Sequence, residues 1–192
     1  AITFPIFILI IARIFYKEKI SKNKSLGVVF VLLGVVLLIS KGNIDVILNI
    51  TFVEGDFWML IAAITFAIYS LLLKYKPKDL NIWAFQLSTF LLGLIFLTPF
   101  YIWELQNNTV LIDMNEEVMM GIFYMGVFAS LFAYVLWNKA IHNIGATKAG
   151  MIYYTIPIFS GALAYLFLDE KLTMNHLYSV ILIFVGIILA NK

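Results

Sequence analysis

Polar side chains that could bind a solute are few in this chain, and they lie at helical spacing inside long apolar runs. Ser130, Tyr134 and Asn138 follow one another at i, i+4 and i+8, which places them on one face of a helix. Trp137 lies beside them, so this face could hydrogen-bond to a small molecule and stack on it. The further candidates for a substrate cavity are Tyr69, Gln86, Tyr154 and Thr155.

The same side chains have a structural alternative, because hydroxyl and amide groups commonly bond between packed helices. For any single residue, interhelical bonding is the stronger expectation. Gln86 and Asn138 are the best candidates, because an amide is costly to leave unpaired in hydrocarbon. Pro157 falls inside an apolar run and removes a backbone donor there, so we expect a kink or a hinge. Pro5 is a second proline of this kind.

Charged and metal-binding side chains exclude several functions by where they lie. The chain has no Asp, Glu, Lys or Arg deep inside an apolar run, although proton relays and sites for charged substrates need such groups. Exchange of phosphorylated or nucleotide-linked sugars is therefore disfavoured. Cysteine is absent, and His142 and His176 have no partner at metal-ligand spacing. We expect no metal, no cofactor and no enzymatic activity, and the residues indicate no binding to nucleic acid.

The elements that carry these residues are membrane-spanning helices. The chain is 63% hydrophobic and 12% charged, with a mean hydropathy of +1.00, which is far from the composition of a soluble domain. Long apolar runs without period-2 alternation satisfy their backbone groups in lipid only as helices. The predicted fold is an all-α polytopic membrane protein with about seven transmembrane helices, at 1–16, 25–41, 57–74, 82–103, 118–138, 148–168 and 175–191.

The orientation follows from the distribution of charge between the connections. One side of the predicted membrane receives 11 of the 13 Lys and Arg residues, and the other side receives nine of the 11 Asp and Glu residues. Because basic residues concentrate in the cytoplasm, the side that contains Lys192 is predicted to be cytoplasmic. The expected location is the plasma (inner) membrane of a bacterium.

A segment near the start of the chain recurs near its end at a constant offset of 152 positions. Pro5 and Pro157 are equivalent in this repeat. Five spans separate corresponding helices, and an odd number reverses the direction of crossing, so the repeat is predicted to be inverted, as in many secondary transporters. The identical positions are Thr3/Thr155, Pro5/Pro157, Ile6/Ile158, Phe7/Phe159, Ala12/Ala164, Phe15/Phe167, Glu18/Glu170 and Lys19/Lys171.

Motifs in the second half of the chain carry a family resemblance. A proline helix leads into an acidic turn and then a last helix with Gly186, and both copies of the repeat fit this order. The pattern resembles the drug/metabolite transporter superfamily of EamA type. The motifs are Ala133-Tyr134-Val135-Leu136-Trp137-Asn138-Lys139, Gly145-Ala146-Thr147-Lys148-Ala149 and Glu170-Lys171-Leu172-Thr173.

The resemblance implies ten helices in two inverted repeats of five. Residues 1–41 would then be the end of the first repeat, with two helices of which the first is cut short. Residues 42–56 would be an external connection, and residues 57–192 a complete second repeat. The missing N-terminal helices of the same protein are therefore expected partners, together with the lipid bilayer and a small-molecule substrate. A homodimer is left open.

The function that these observations predict is secondary transport by alternating access. Export of small metabolites or drug-like compounds fits the uncharged spans, with amino-acid-like solutes among the candidates. The alternatives are an intramembrane enzyme and a membrane scaffold that transports nothing. An enzyme of that kind normally needs an activated Ser, an acid or a His within the membrane, which this sequence does not supply.

Overall fold

The computed structural model describes residues 3–77, 79–107, 114–169 and 173–191. Regular secondary structure in these ranges is entirely helical, which confirms the predicted all-α fold. A 3-10 turn at Leu73–Tyr75 extends α4, and a π-helical segment at Met125–Phe132 joins α6 to α7. The helices are α1 Phe4–Phe15, α2 Lys22–Ser40, α3 Ile44–Leu48, α4 Glu54–Leu72, α5 Ile82–Asn107, α6 Glu116–Tyr124, α7 Ala133–Ile144, α8 Ala146–Tyr153, α9 Ile156–Phe167 and α10 Met174–Ala190.

Five helical segments within the described residues are long and apolar enough to cross a bilayer. Two further apolar helices, α1 and α10, have 12 and 17 residues and fall short of that length. All seven coincide with the runs that hydropathy predicts. The five longer segments are Lys22–Ser40, Glu54–Tyr75, Ile82–Asn107, Glu116–Ile144 and Ala146–Phe167.

Side-chain caps set where several of these helices begin. The hydroxyl of Ser21 accepts the backbone amide of Lys24 at the start of α2, and Asn43 and Asn115 accept amides in the same way in α3 and α6. Such caps satisfy amides that have no partner within the helix. At α10, the ring of His176 accepts the backbone amide of Thr173 at 3.1 Å. His176 therefore caps a helix, a role that metal-ligand spacing did not indicate.

The chain divides into two units. The first contains residues 1–72 and 144–192, and the second contains residues 73–143. Within the described residues, α1–α4 and α8–α10 belong to the first unit. The second consists of α5, α6, the π-helical segment and α7.

Glycine contacts between α2 and α10 form the centre of the first unit. A Cβ built on Gly186 would lie 2.6 Å from the carbonyl oxygen of Gly27, and one on Gly34 would lie 2.9 Å from the carbonyl oxygen of Ser179. Only residues without a side chain allow two helix backbones to approach this closely. Residues early in α2 contact residues late in α10, so the two helices run antiparallel. Val31 and Ile183, both fully buried, complete the contact.

The offset of 152 also relates the helix bounds and the turns that follow them. Helices α1 and α9 each have 12 residues and start one residue before a proline, Pro5 or Pro157. After each helix, one residue adopts a left-handed conformation with φ of 52°, Lys17 in the first copy and Asp169 in the second. The acidic turn residues Glu170, Lys171 and Leu172 of the second copy lie outside the described residues.

The α2–α10 contact leads to a prediction about stability. Replacing Gly186 with Ala would push a Cβ into the backbone of α2, and we expect the free energy of unfolding to fall by about 1–3 kcal/mol. The measurement is thermal denaturation of the full-length protein in detergent. Gly93 in α5 is the matched control, because its Cβ would meet nothing within 4 Å. Gly93→Ala should be neutral or slightly stabilising, and equal midpoints for both variants would contradict the close contact.

Candidate functional site

Two amides meet in the second unit. The Nδ2 of Asn138 in α7 donates to the Oε1 of Gln86 in α5 at 2.8 Å. Both side chains are buried, with 1% of Gln86 and 4% of Asn138 exposed. These two residues were the strongest candidates from sequence, and the structure brings them together. Their partnership shows interhelical hydrogen bonding, the structural alternative for these side chains.

Aromatic rings continue this contact one helical turn further along. Phe90 in α5 and Tyr134 in α7 pack edge to face, with ring centroids 5.9 Å apart and an interplanar angle of 77°. The side chains of Ser130 and Trp137 are half-buried beside them. Asn138 and Tyr134 thus share one face of the helix, which faces α5. This face is polar at one level and aromatic at the next.

The helix that carries these residues changes its winding. In the π-helical segment that contains Ser130, backbone amides bond five residues back, as the amide of Ala133 does to the carbonyl of Phe128. The segment remains continuous with α6 and α7, and the helical turn around Ser130 is wider than that of an α-helix. Segments of this kind occur frequently at functional sites. Hydrophobic periodicity contains no signal for one.

An open apolar groove of about 650 Å³ lies along α6 in the same unit, lined by exposed side chains. It includes none of the residues that the sequence singled out, and its one charged residue is Glu116 at the start of the helix. A surface of this chemistry suits hydrocarbon better than a polar solute. Its lining residues are Glu116, Met119, Met120, Phe123, Tyr124 and Phe128.

An aromatic cluster joins α1, α4 and α8 in the first unit. The ring of Phe4 contacts Phe66 at 4.9 Å and Tyr153 at 4.4 Å, both edge to face. Tyr69, the candidate residue on α4, lies 5.9 Å from Phe66. Phe4 is buried, whereas Phe66, Tyr69 and Tyr153 are half-buried. Sequence spacing did not identify Phe4 or Phe66, because their partners come from helices that are distant in sequence.

The predicted span 148–168 is interrupted at two of the candidate residues. Helix α8 ends at Tyr153 and α9 begins at Ile156, so Tyr154 and Thr155 lie in the break, just before Pro157. The Thr155 hydroxyl donates to the carbonyl of Ile152 at 2.8 Å, a bond within its own turn.

Tyr154 lies in an apolar core rather than at an open cavity. Only 1% of its surface is exposed, and its hydroxyl has no hydrogen-bond partner among the residues that the structure describes. An unpaired buried hydroxyl of this kind is rare. The core residues around it are Leu9, Val31, Val35, Met151, Ile183 and Ala190.

The candidate residues therefore fall into two groups. The second unit contains Gln86 on α5 and its neighbours Tyr134 and Asn138 on α7. The first unit contains Tyr69 and Tyr154. No group of three or more His, Asp or Glu side chains in the described ranges could hold a metal ion. Chemically, the two groups offer amide, hydroxyl and aromatic surfaces without charge.

Comparison with known proteins places the chain among membrane transporters. A family model described as the EamA-like transporter family matches residues 53–192. An uncharacterized transporter of Archaeoglobus fulgidus is 32% identical over 160 residues, which cover 81% of this chain and 53% of that protein. No solved structure matches the chain with statistical significance.

Two uncharacterized transporters of Bacillus subtilis match over nearly the whole chain. YyaM is 24% identical over 97% of this chain and 61% of its own length, and YoaV is 25% identical over 96% and 62%. The chain thus spans between half and two thirds of the length of these relatives.

The buried amide pair leads to a double-mutant prediction. Gln86→Leu and Asn138→Leu should each lower the free energy of unfolding by about 1–3 kcal/mol, because each removes the buried hydrogen bond between the two amides. The double variant should lose less than the sum of the two, since neither amide then remains. Chemical or thermal denaturation of the full-length protein measures all three. The control is Gln106→Leu, which replaces an exposed amide of the same helix and should change the free energy of unfolding by no more than about 0.5 kcal/mol. If the double variant loses the full sum of the two single effects, the pairing is contradicted.

Proposed function

The chain belongs to the EamA-like transporter family, and from this premise we propose that it forms part of a secondary exporter of small metabolites or drug-like compounds. Amino-acid-like solutes are included in that substrate range. The chain is an integral membrane protein, as its family and its apolar helices show. We propose the bacterial inner membrane as its location, with the C-terminus in the cytoplasm as the charge distribution favours.

The observation that carries this proposal is the antiparallel contact between α2 and α10. Gly34 and Gly186 occupy equivalent positions in the repeat, and each packs against the backbone of the other helix. Reciprocal contact between equivalent, antiparallel helices is what a two-fold axis in the membrane plane produces. It supports the division into the end of a first repeat at 1–41, a connection at 42–56 and a second repeat at 57–192. Alternating access would follow from movement of one repeat against the other.

The chemistry of the candidate residues supports uncharged or weakly charged substrates. The amide pair with Tyr134 and the aromatic cluster with Tyr69 offer hydrogen bonds and ring faces, and neither contains an ionised group. Ser130 and Trp137 in the second unit and Thr155 in the first remain candidates for substrate contact, whereas Tyr154 packs in the apolar core. A substrate that carries phosphate would need cations, which this chain places at the ends of its helices.

Flux measurements with the full-length protein test the proposed function. Radiolabelled amino acids, small metabolites and lipophilic drugs would be added to the medium around inside-out vesicles. Their accumulation inside would then be compared with that in vesicles that lack the protein. Saturable accumulation of at least one compound is expected. The absence of flux across the whole panel would favour the scaffold alternative.

The broken helix leads to a prediction about the transport rate. Pro157→Ala restores a backbone donor and removes the ring that prevents α8 and α9 from forming one continuous helix. If the break is a hinge, flux should fall roughly tenfold, which corresponds to a shift of about 1.4 kcal/mol between two states. Pro99→Ala is the matched control, because Pro99 lies inside the uninterrupted helix α5. Equal flux in both variants and in the unmodified protein would identify the break as passive packing.

A further inference from the structure

A polar contact joins the α1–α2 connection to the start of α8. The Oγ1 of Thr147 donates to the Oε2 of Glu18 at 3.1 Å, across 129 positions of sequence. Thr147 is buried, with 9% of its surface exposed, whereas Glu18 lies at the surface. Charge-assisted hydrogen bonds of this type are stronger than those between neutral groups. The contact therefore links two segments that are far apart in the chain at a single point.

The turn after α1 positions Glu18 through its own backbone. Lys17 adopts the left-handed conformation, which reverses the chain, and the amide of Glu18 then donates to the carbonyl of Ala12 at 3.2 Å. The guanidinium of Arg13 donates to the Glu18 carbonyl at 3.2 Å. Arg13 thus bonds the main chain of Glu18 and leaves the carboxylate directed to Thr147. Two bonds fix the residue, and a third makes the contact.

Helix α8 has no capping group of its own. Its N-cap is Gly145, which has no side chain, and its first turn contains no acidic residue. The first amides of a helix carry a partial positive charge and attract an anion. The Glu18 carboxylate brings a negative charge to this first turn from another part of the chain, through its contact with Thr147. Lys148 lies in the same turn.

We propose that Glu18 and Thr147 form a clasp that closes the interface between α1 and α8 in one state of the transport cycle and opens in the other. This inference rests on the proposed alternating access, and in the proposed orientation the clasp lies at the cytoplasmic face. Helix α8 is short and ends at the break before Pro157, so it can move separately from α9. Deeper along the same interface, Gly150 packs against Ile8 and Pro5. A contact at an exposed carboxylate is weak enough to open reversibly.

Cysteine accessibility in the full-length protein tests the clasp. The 192 residues of this chain contain no cysteine, and any cysteine elsewhere in the full-length protein would be replaced by Ser. Ala149→Cys then places a single reporter at a buried position two residues beyond Thr147. A membrane-impermeant maleimide would be applied to the cytoplasmic side of inside-out vesicles. In this background, Glu18→Ala and Thr147→Val should raise the labelling rate about threefold to tenfold, the effect of losing one hydrogen bond. Thr147→Ser keeps the hydroxyl and should label at the original rate.

Two further measurements separate the possible results. Asp79→Ala removes an exposed acid from another connection on the same proposed face and should leave the rate unchanged. If Glu18→Ala and Thr147→Val lower the thermal midpoint without raising the labelling rate, Glu18 is a static cap and the clasp is overturned. Because Thr147→Val preserves side-chain volume, it tests the clasp even if Glu18→Ala fails to fold. Absent flux together with increased labelling would refute the proposed function and show that the Glu18–Thr147 contact opens without serving a transport cycle.

Discussion

The close contact between α2 and α10 is the constraint on which the first unit depends. In lipid, helices gain little from burying apolar side chains, because hydrocarbon tails are equally apolar. Association then depends on close packing, and Gly27, Gly34 and Gly186 allow the two backbones to meet. Val31 and Ile183 from this contact belong to the same buried apolar cluster as Tyr154. The cluster therefore extends from the α2–α10 contact to the break between α8 and α9.

Many polar side chains of this apolar protein bond a carbonyl of their own helix, as Thr65, Ser70 and Ser88 do, and three hydrogen bonds link segments that are distant in sequence. Asn138 bonds Gln86, Thr147 bonds Glu18, and the amide of Asn175 donates to the backbone carbonyl of Lys41. The Asn138–Gln86 bond is buried, whereas the other two involve residues at the surface, Glu18 and Lys41. The buried Tyr154 hydroxyl has no hydrogen-bond partner within the described residues, and it lies in the break between α8 and α9.

The sequence predicted individual residues better than it predicted their relationships. The cost of an unpaired amide identified Gln86 and Asn138, but not that they would bond to each other 52 positions apart. The acidic turn that contains Glu18 and the motif that contains Thr147 were both visible in the sequence, whereas the hydrogen bond between these two residues was not. Proline at 157 indicated an irregular helix, and the structure located the break at Tyr154 and Thr155, three and two residues before it. The π-helical segment had no sequence signal at all.

By itself, the sequence determined the helical class, the positions of the apolar segments, the repeat and the family. These features are local or periodic: in a bilayer every apolar run must satisfy its own backbone groups, so hydropathy alone predicts a helix. Only the tertiary structure decided which helices meet, because such contacts depend on where two separate backbones come close enough to touch. The glycines of α2 and α10 illustrate the difference. The sequence shows where these glycines lie, but it does not show that they pack the two helices against each other.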